Sequence, residues 1–503
     1  MPLVISPWIQ KTSVNRTTAL AAMLLAVGCA TVEPRPDYQR ARNLVGEGTG
    51  IDTLYDPTTE TQVADAVSTR LADGLTIDEA VEVALLNNGA LQAMFQEIGM
   101  ARADVVQAGL LTNPSLSMLV QFPEGGGRSK LDFGVAQQIA DLWQIPQRTK
   151  IAQADLEATI LRVAQQAVDL AADTRIQYLR LLAFERLLAI QAESLQLARE
   201  SLRLAEAKVR AGEASQLDLN LAKAGLSEVE LLGIDAQRQH EIAHVRLTRM
   251  LSLARSDKAW VLTGELAALP PPAEAEDAWV ERALADRLDA RIAAEKVTSA
   301  EAAWQKQKAA VFSNVTVGLM GERPDRRSLP GRNVLADTTR ASIANGALTV
   351  PDIQSRAQRR QERSQIIDLL LGPSLDMTLP IWDQNQAQIA RAQFAWDQKR
   401  KEQEALLDSI AEEVLTASVS LRSTAQQRRL YDESLLPQSR ENLKSVRAAY
   451  AAGELGMVSL IESQEAAIRV EQAYLDVVRD LAIARVELER AIGGRIDGED
   501  DGQ

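Results

Sequence analysis

The sequence predicts a mainly α-helical protein with a small β part, built from one duplicated unit. Three observations favour this fold class. Only 4% of the 503 residues are aromatic although 46% are hydrophobic, so most apolar residues are Ala, Leu, Val and Ile, which suit narrow helix seams. Two stretches of about 65 residues show helical periodicity. The order of predicted elements in the first half of the chain recurs in the second half.

Residues 1–28 have the organisation of a signal peptide. Lys11 and Arg16 form a basic region, Ala19–Val27 form a hydrophobic core, and small residues precede Cys29, the chain's one cysteine. The segment resembles a bacterial lipoprotein signal, which predicts that Cys29 becomes an acylated first residue carrying palmitate or a similar chain. An ordinary signal peptide that leaves a free thiol is the alternative. A single cysteine excludes an intramolecular disulfide.

The first repeat is predicted over residues 76–253, after a tether at 29–75 whose Pro, Gly, Asp and Thr residues follow no helical period. Thr76 and Glu79 have the spacing of a capping box, so a helix begins here and continues to about Leu111.

A β-hairpin at about 115–139 follows this helix, because the period of the pattern changes from 3.6 to two residues. Alternation gives the hairpin one apolar and one polar face. The apolar face of the first strand carries Leu116, Met118, Val120 and Phe122, and the polar face of the second carries Asp132, Gly134, Ala136 and Gln138. Strands with this alternation fit an outer-membrane β-barrel.

A long helical pattern begins after Pro146 and continues to Ala211, which corresponds to about 98 Å at 1.5 Å per residue. A turn at about 212–215 interrupts it, and helix resumes to about Leu253. Residues 254–276, which include three consecutive prolines, are predicted as a linker.

The second repeat is predicted over residues 277–493 and has the same layout. Its predicted parts are a helix to about Val311, strands at about 314–320 and 373–380, an insert at about 322–371, a long helix from about Gln384 to Ala452, a tip turn at about 453–456, and a helix to about Ile492. Residue identities agree with the duplication, since Lys208–Glu213 corresponds to Ala449–Glu454. Residues 494–503 form an acidic tail.

The predicted strands of one chain cannot close a barrel. An open sheet edge in lipid leaves backbone groups unpaired, at a cost of several kcal/mol each. A barrel must therefore be oligomeric, and two, three or four copies would provide about 8, 12 or 16 strands. Periodicity alone does not choose between these numbers.

Several motifs resemble the TolC-like outer-membrane efflux family. They are Leu75–Ala80 leading to Ala84–Asn88, Gly109–Leu116, Arg287-Leu288-Asp289 and Leu379–Asn385. The resemblance covers about residues 75–493. The block from Ala108–Leu111 through Phe122–Gly127 is more similar to the heavy-metal efflux branch than to the drug branch.

This resemblance implies a homotrimer, in which a 12-stranded outer-membrane barrel continues into a long periplasmic α-helical barrel. It also implies partners: outer-membrane lipid, a periplasmic adaptor and an inner-membrane pump of the resistance-nodulation-division type. The adaptor would dock near the tip turns, at Gly212, Glu213, Gly453 and Glu454. The implied function is an efflux exit duct, not an enzyme, and no cofactor is expected.

The family closes its tunnel at the tip, and the resemblance implies gate residues here. Asp218 and Tyr450 match a latch, while Ser459 and Glu462 occupy two positions that can carry carboxylates; Leu455 replaces an Arg sometimes found in the family. A ring of Glu462 carboxylates would favour cations. The alternative is that Asp218 only caps the returning helix and Glu462 is solvated.

One motif indicates a different class of protein. His240-Glu241-Ile242-Ala243-His244 fits the HExxH pattern of zinc enzymes, in which two His bind zinc and the Glu is a general base. These are the only two histidines of the chain, so a third ligand would have to be a carboxylate. An ordinary helix surface is the favoured interpretation, and no metal site is predicted.

The insert at about 322–371 matches an extracellular loop of the family. It contains nine Arg against six acidic residues in a chain whose net charge is −14. A basic loop could contact anionic lipopolysaccharide, and an insertion without fixed structure is the alternative.

The overall charge and hydropathy exclude two other classes of protein. A net charge of −14 argues against nucleic-acid binding, and no apolar run is long enough for a transmembrane helix. A periplasmic adaptor or helical scaffold lipoprotein remains a competing hypothesis, although an adaptor would have one helical hairpin flanked by lipoyl-like β segments.

Overall fold

The computed structural model describes residues 31–124, 128–255, 259–266, 276–325, 339–340, 342–346, 355–364 and 369–496. The chain divides into two compact units. Unit 1 comprises residues 1–104, 154–297 and 398–503, and unit 2 comprises residues 105–153 and 298–397.

Helix dominates the described residues, and four strands form one sheet. The first half contains α1 (Arg35–Thr49), a 3₁₀ turn (Pro57–Gln62), α2 (Val63–Arg70), α3 (Ile77–Asn87), α4 (Gly89–Gly109), β1 (Ser115–Gln121), β2 (Lys130–Gln138), α5 (Asp141–Ala211) and α6 (Gln216–Met250). The second half contains α7 (Glu276–Asp286), α8 (Leu288–Ala309), a 3₁₀ turn (Ala310–Phe312), β3 (Val315–Arg323), α9 (Arg356–Ser364), β4 (Leu370–Met377), α10 (Gln386–Leu430), a π turn (Tyr431–Leu435), α11 (Leu436–Ala452) and α12 (Met457–Ile492).

The two halves repeat the same order of elements at similar lengths. Helices α3 and α7 both have 11 residues, α4 and α8 have 21 and 22, and α6 and α12 have 35 and 36. The long helix α5 has 71 residues, and α10, the π turn and α11 together fill the corresponding place.

The helix predicted to continue from Thr76 to about Leu111 is two helices, divided at Asn88. The capping box predicted at its start is present, since Glu79 N–H donates to Thr76 Oγ1 and Thr76 N–H donates to the Glu79 carboxylate. At the break, Asn88 Oδ1 accepts hydrogen bonds from the backbone of Ala90 and Leu91 and so caps α4.

The same break occurs in the second half, at Arg287 between α7 and α8. Asn88 Nδ2 donates to the carbonyl of Met250, the last residue of α6, at 3.0 Å. Arg287 Nη1 donates to the carbonyl of Ala491 near the end of α12, at 3.2 Å. At each break, a side chain therefore also binds a carbonyl near the end of the returning helix in the same repeat.

The segment predicted as a tether at 29–75 is largely helical where it is described. Asp37, Tyr38, Ala41 and Val45 of α1 are buried, and Asp37 accepts an ion-paired hydrogen bond from Arg102 Nε at 2.6 Å. Pro34 and Pro36 lie at the start of α1, where a missing N–H costs nothing. Prolines at this position misled the sequence prediction, because they mark a helix start here and not a linker.

The second long helix differs from the predicted uninterrupted one. The π turn at Tyr431–Leu435 is separated from Pro437 by Leu436 alone. A proline ring within an α-helix clashes with the carbonyl four residues earlier and removes one hydrogen bond. The wider turn accommodates that clash, so the chain continues in the helical direction.

The sheet lies in unit 2 and is antiparallel throughout, in the order β1-β2-β3-β4. The predicted strands agree in position, with β3 and β4 reaching further towards the insert than expected. Its register aligns alternate residues across all strands: Val135 lies opposite Leu116 on one side and Leu319 on the other, and Val317 lies opposite Leu375.

Side chains from the long helices secure the helix ends that adjoin the sheet in unit 2. Arg148 binds the carbonyl of Leu110 at 2.8 Å and the buried carboxylate of Asp141 at 3.0 Å. In the second half, Asn385 Nδ2 binds the carbonyl of Gln307 at 2.7 Å. Each clasp satisfies carbonyls that the end of a helix leaves unpaired.

Candidate functional site

Two tight turns in unit 1, hereafter the tip turns, connect long helices to returning helices. The first, residues 212–215, follows α5, and the second, residues 453–456, follows α11. Their hydrogen bonds are the same: Glu213 N–H donates to Lys208 O at 2.9 Å, and Glu454 N–H donates to Ala449 O at 2.9 Å. Both helices thus end in a Schellman motif.

Glycine is required at both tip turns for its backbone conformation. Gly212 has φ +78° and Gly453 has φ +81°, a backbone conformation that residues with a Cβ rarely adopt. A Cβ at either position would meet no atom within 4 Å. The surfaces around both glycines, including Glu213 and Glu454, are exposed and therefore accessible to another protein.

Asp218 caps the start of α6. Its Oδ2 accepts hydrogen bonds from Ser215 N at 2.9 Å and Ser215 Oγ at 2.8 Å, and its own N–H donates to Ser215 Oγ. These bonds hold the pKa of Asp218 below its usual range. The carboxylate is therefore hydrogen-bonded to the first tip turn and ionised at neutral pH.

Tyr450 is 3% exposed and lies in a small hydrophobic cluster with Ala205, Ala222, Met457 and Leu460. Its hydroxyl makes no hydrogen bond to any other described residue. Burial, and secondarily the charge of Asp218, raise the pKa of this phenol. Asp218 is thus near enough to act electrostatically, and the predicted hydrogen-bonded latch between the two remains a prediction.

Lys208 joins the two tip turns, and sequence reasoning did not find it. Its ammonium group donates to the carbonyl of Tyr450 and lies 4.4 Å from the centre of the Tyr450 ring. The two residues are 242 positions apart. Only an alignment of the two tip segments could have pointed to this pair of residues, because Lys208 and Ala449 occupy equivalent positions.

The two remaining predicted gate positions lie on the first turns of α12. Ser459 is partly buried and Glu462 is exposed. Among the described residues near the tip turns, Ser459 has no side-chain hydrogen-bond partner and Glu462 has no ion-pair partner. The gate role of these two positions stays a prediction.

The sheet of unit 2 is a second candidate surface, with two chemically different faces. One face carries Leu116, Met118, Phe133, Val135, Val317, Leu319, Leu371 and Leu375. The opposite face carries mainly polar and small residues, namely Ser117, Lys130, Asp132, Gly134, Thr316, Glu322, Ser374 and Asp376, together with the apolar Leu119, Met320 and Leu370. Leu116 is 79% exposed and Met118 is 72% exposed, so the apolar face has no cover within the described chain.

Exposed aromatic side chains lie beyond both ends of the strands. Phe122, directly after β1, is 83% exposed. Trp382, shortly after β4, is 87% exposed, and Phe312, just before β3, is 46% exposed. Aromatic residues at both borders of an apolar band are typical of strands that cross a bilayer.

The HExxH motif lies on α6. The His244 ring stacks on Trp260 with centroids 4.2 Å apart, and burial lowers the pKa of His244. His240 Nε2 is 3.9 Å from Glu185 Oε1, and Glu241 accepts a hydrogen bond from Gln237. Within the described ranges, no three His, Cys, Asp or Glu side chains are grouped as metal ligands. The stacking gives His244 a packing role.

Two predicted features lie outside the described residues. They are the lipidation site Cys29 and most of the basic insert, of which residues 339–340, 342–346 and 355–364 are described. Across the part of the chain that is described, none of the helices combines the length and hydrophobicity needed to span a bilayer.

Residues 80–252 match the model of the outer membrane efflux protein family. Over this part of its length the chain is similar to the outer membrane efflux proteins. The resemblance to the TolC-like family is thereby confirmed. No curated protein sequence matches the chain significantly.

Solved structures of outer-membrane channels share the fold of this chain. CusC, described in connection with transmembrane channel formation, superposes with a TM-score of 0.65 at 16% identity over 83% of this chain and 92% of that one. The Campylobacter jejuni outer membrane channel CmeC gives 0.62 at 16% identity over 88% and 89%. The Vibrio cholerae outer membrane protein VceC gives 0.64 at 14% identity over 86% and 99%.

Proposed function

We propose that this protein is the outer-membrane exit duct of a tripartite efflux system. The observation that carries the proposal is the sheet of unit 2, whose apolar face is exposed while its opposite face is polar. Burial of that face in hydrocarbon would remove the exposed apolar area from water, and the polar face would line an aqueous lumen. The family match supports the same function.

The duct is a homotrimer in this proposal. Neither β1 nor β4 has a second neighbour among the described strands, so each leaves one edge with unpaired backbone groups. Pairing β1 of one copy with β4 of the next satisfies both edges, and three copies of four strands give a 12-stranded barrel. The helices of unit 1 then form a periplasmic tunnel.

The tip turns are the proposed docking place of a periplasmic adaptor, which connects the duct to an inner-membrane pump of the resistance-nodulation-division type. Two exposed turns of identical backbone geometry, each with a Gly-Glu pair, present repeated sites to a repeated partner. In a trimer the adaptor would meet six such turns around one axis, in two alternating classes.

Gating is proposed at the same end, with Asp218, Tyr450, Ser459 and Glu462 facing the constriction. Three Glu462 carboxylates around a narrow pore would attract cations and repel anions. A Tyr450 hydroxyl bond to Asp218 would have to form across a chain boundary or after rearrangement. Unchanged pore conductance in Tyr450→Phe would contradict such a bond.

Acylation of Cys29 would anchor the N-terminus in the same membrane, and the basic insert would face lipopolysaccharide outside. Labelling of the protein with radioactive palmitate, lost in Cys29→Ala, tests the anchor. Removal of residues 326–354 should leave assembly intact while it weakens binding to lipopolysaccharide.

Outer-membrane fractionation combined with planar-bilayer recording tests the whole proposal. The purified full-length protein should sediment with outer membranes, run as a trimer in detergent and produce discrete conductance steps. A soluble monomer without conductance would contradict the duct and favour a periplasmic adaptor or scaffold. Zinc content and caseinolytic activity, compared with Glu241→Gln, address the enzyme alternative. Sensitivity of a deletion strain to metals, drugs and detergents would identify the cargo.

A further inference from the structure

We infer that Lys208 is the residue that holds the second tip turn against the first helix hairpin, and that it closes the periplasmic end through the backbone and ring of Tyr450. The inference rests on the proposed duct and names a closing residue outside the four predicted gate positions. It makes Lys208 a positioning residue whose removal opens the tip.

The contact is specific in geometry. The Lys208 ammonium reaches the carbonyl of Tyr450, which also accepts the N–H of Gly453 at 3.2 Å. The carbonyls of a helix's last turn carry partial negative charge, so a lysine here binds both a hydrogen-bond acceptor and a helix end. The ring of Tyr450 below the ammonium adds a cation–π contribution.

The Tyr450 hydroxyl is not what holds the tip in this arrangement. It is buried without a hydrogen-bond partner among the described residues, and Asp218 is bound to Ser215. The parts of Tyr450 that are engaged are its carbonyl and its ring. Replacement of the hydroxyl by hydrogen therefore leaves the closing contact unchanged.

Other polar contacts also join α5 to the second hairpin: Arg490 binds Asp169 and Asp173 far from the tip turns, and two contacts lie nearer to them. Gln464 donates to Ser201 at 2.8 Å, and Arg447 contacts Glu200 at 3.3 Å. Ser201 is about 10 Å along the helix from Lys208. These contacts lie along the helices, whereas Lys208 acts on the last turn of α11, directly before the second tip turn.

The duplication explains why the contact runs in one direction. Lys208 corresponds to Ala449, and a methyl group cannot reach back to the first tip turn. The first helix hairpin therefore holds the second tip through this lysine, in addition to the hydrophobic cluster that surrounds the Tyr450 ring. An adaptor that binds the Tyr450 carbonyl region or displaces the ammonium would open the tip.

Planar-bilayer recording of the full-length protein tests this inference. Lys208→Met should raise the open-to-closed ratio about tenfold, the effect of one lost hydrogen bond to a charged group, while Lys208→Arg should keep the ratio low. Lys223→Met is the matched control, because Lys223 is an exposed lysine of α6 near the same end.

Amide hydrogen exchange provides a second measurement that does not depend on conductance. Lys208→Met should speed exchange at Gly453 and Glu454 and leave Gly212 and Glu213 unchanged. An open-to-closed ratio and exchange equal to the wild type in Lys208→Met would overturn the role of Lys208 while the duct stands. Absence of conductance steps in every variant, the wild type included, would instead contradict the duct itself.

Discussion

Two glycines show how a single backbone angle determines the ends of the longest helices. Gly212 and Gly453 both have positive φ, and both stand in open space. The pairing of the tips was readable from the sequence because the Gly-Glu dipeptide recurs. Lys208 was not readable, because its partner lies 242 residues away and a lysine on a helix is ordinarily a solvated side chain.

Substitution of the tip glycine should destabilise the protein. Gly212→Ala should lower the free energy of unfolding by about 1 kcal/mol, because a Cβ at φ +78° is strained. Gly233→Ala is the matched control: Gly233 lies inside α6 with no atom near an added Cβ, so alanine should stabilise by about 0.5–1 kcal/mol. Denaturant unfolding of both variants measures the difference, and equal signs would refute the conformational explanation.

Helix boundaries are the elements that sequence patterns located least well. The strands were found because the sequence pattern switches abruptly from a helical period to a period of two residues. Asn88, in contrast, breaks a helix whose apolar pattern continues on both sides. Its amide both caps α4 and binds Met250, and the second partner comes from a distant part of the chain. The helices at Arg35–Thr49 and Val63–Arg70 were missed because tertiary packing, rather than local period, stabilises them.

Replacement of Asn88 should separate its two roles. Asn88→Ala removes the cap of α4 and the bond to Met250, and should cost about 2 kcal/mol of stability. Asn88→Asp keeps an oxygen for the cap but loses the amide donor, and should cost about half as much. Thermal unfolding in detergent compares them, and identical losses would show that the cap contributes nothing.

The stability of the first turn of α6 should depend on pH. Because the pKa of Asp218 is lowered in the folded chain, its carboxylate adds stability at pH values above the usual range of Asp, about 4, and this contribution disappears as the pH falls through the lower folded value. Amide exchange at Asp218 and Leu219 should therefore accelerate in acid beyond the intrinsic rate. Asp218→Asn should abolish that additional pH dependence, and an unchanged acid response would contradict it.

At the scale of the whole molecule, the two faces of the sheet should respond in opposite ways to charge. Met118 and Leu119 are adjacent, exposed and similar in size, yet they lie on opposite faces. Met118→Lys should reduce insertion into bilayers by about 2–4 kcal/mol, whereas Leu119→Lys, on the polar face, should insert normally. Protease protection after reconstitution into vesicles measures both. Equal insertion of the two variants would rule out the barrel orientation proposed above.

The duplication and the strand alternation could both be predicted from the sequence, because each is a pattern of residue types that needs no knowledge of contacts between distant residues. The π turn before Pro437 could not, since a proline predicts a kink without saying how the backbone absorbs it. The number of copies in the assembly is likewise not encoded in any local pattern. It depends on how many sheets close a cylinder, which is a property of several chains together.

The two unpaired edges of the sheet make the newly synthesised chain prone to aggregation. A monomer with exposed β1 and β4 edges and an uncovered apolar face can pair with any strand it meets, so aggregation competes with correct assembly. In the proposed trimer, the stability of each chain would therefore depend on protomer concentration. Overproduction should then yield precipitate before it yields more assembled trimers.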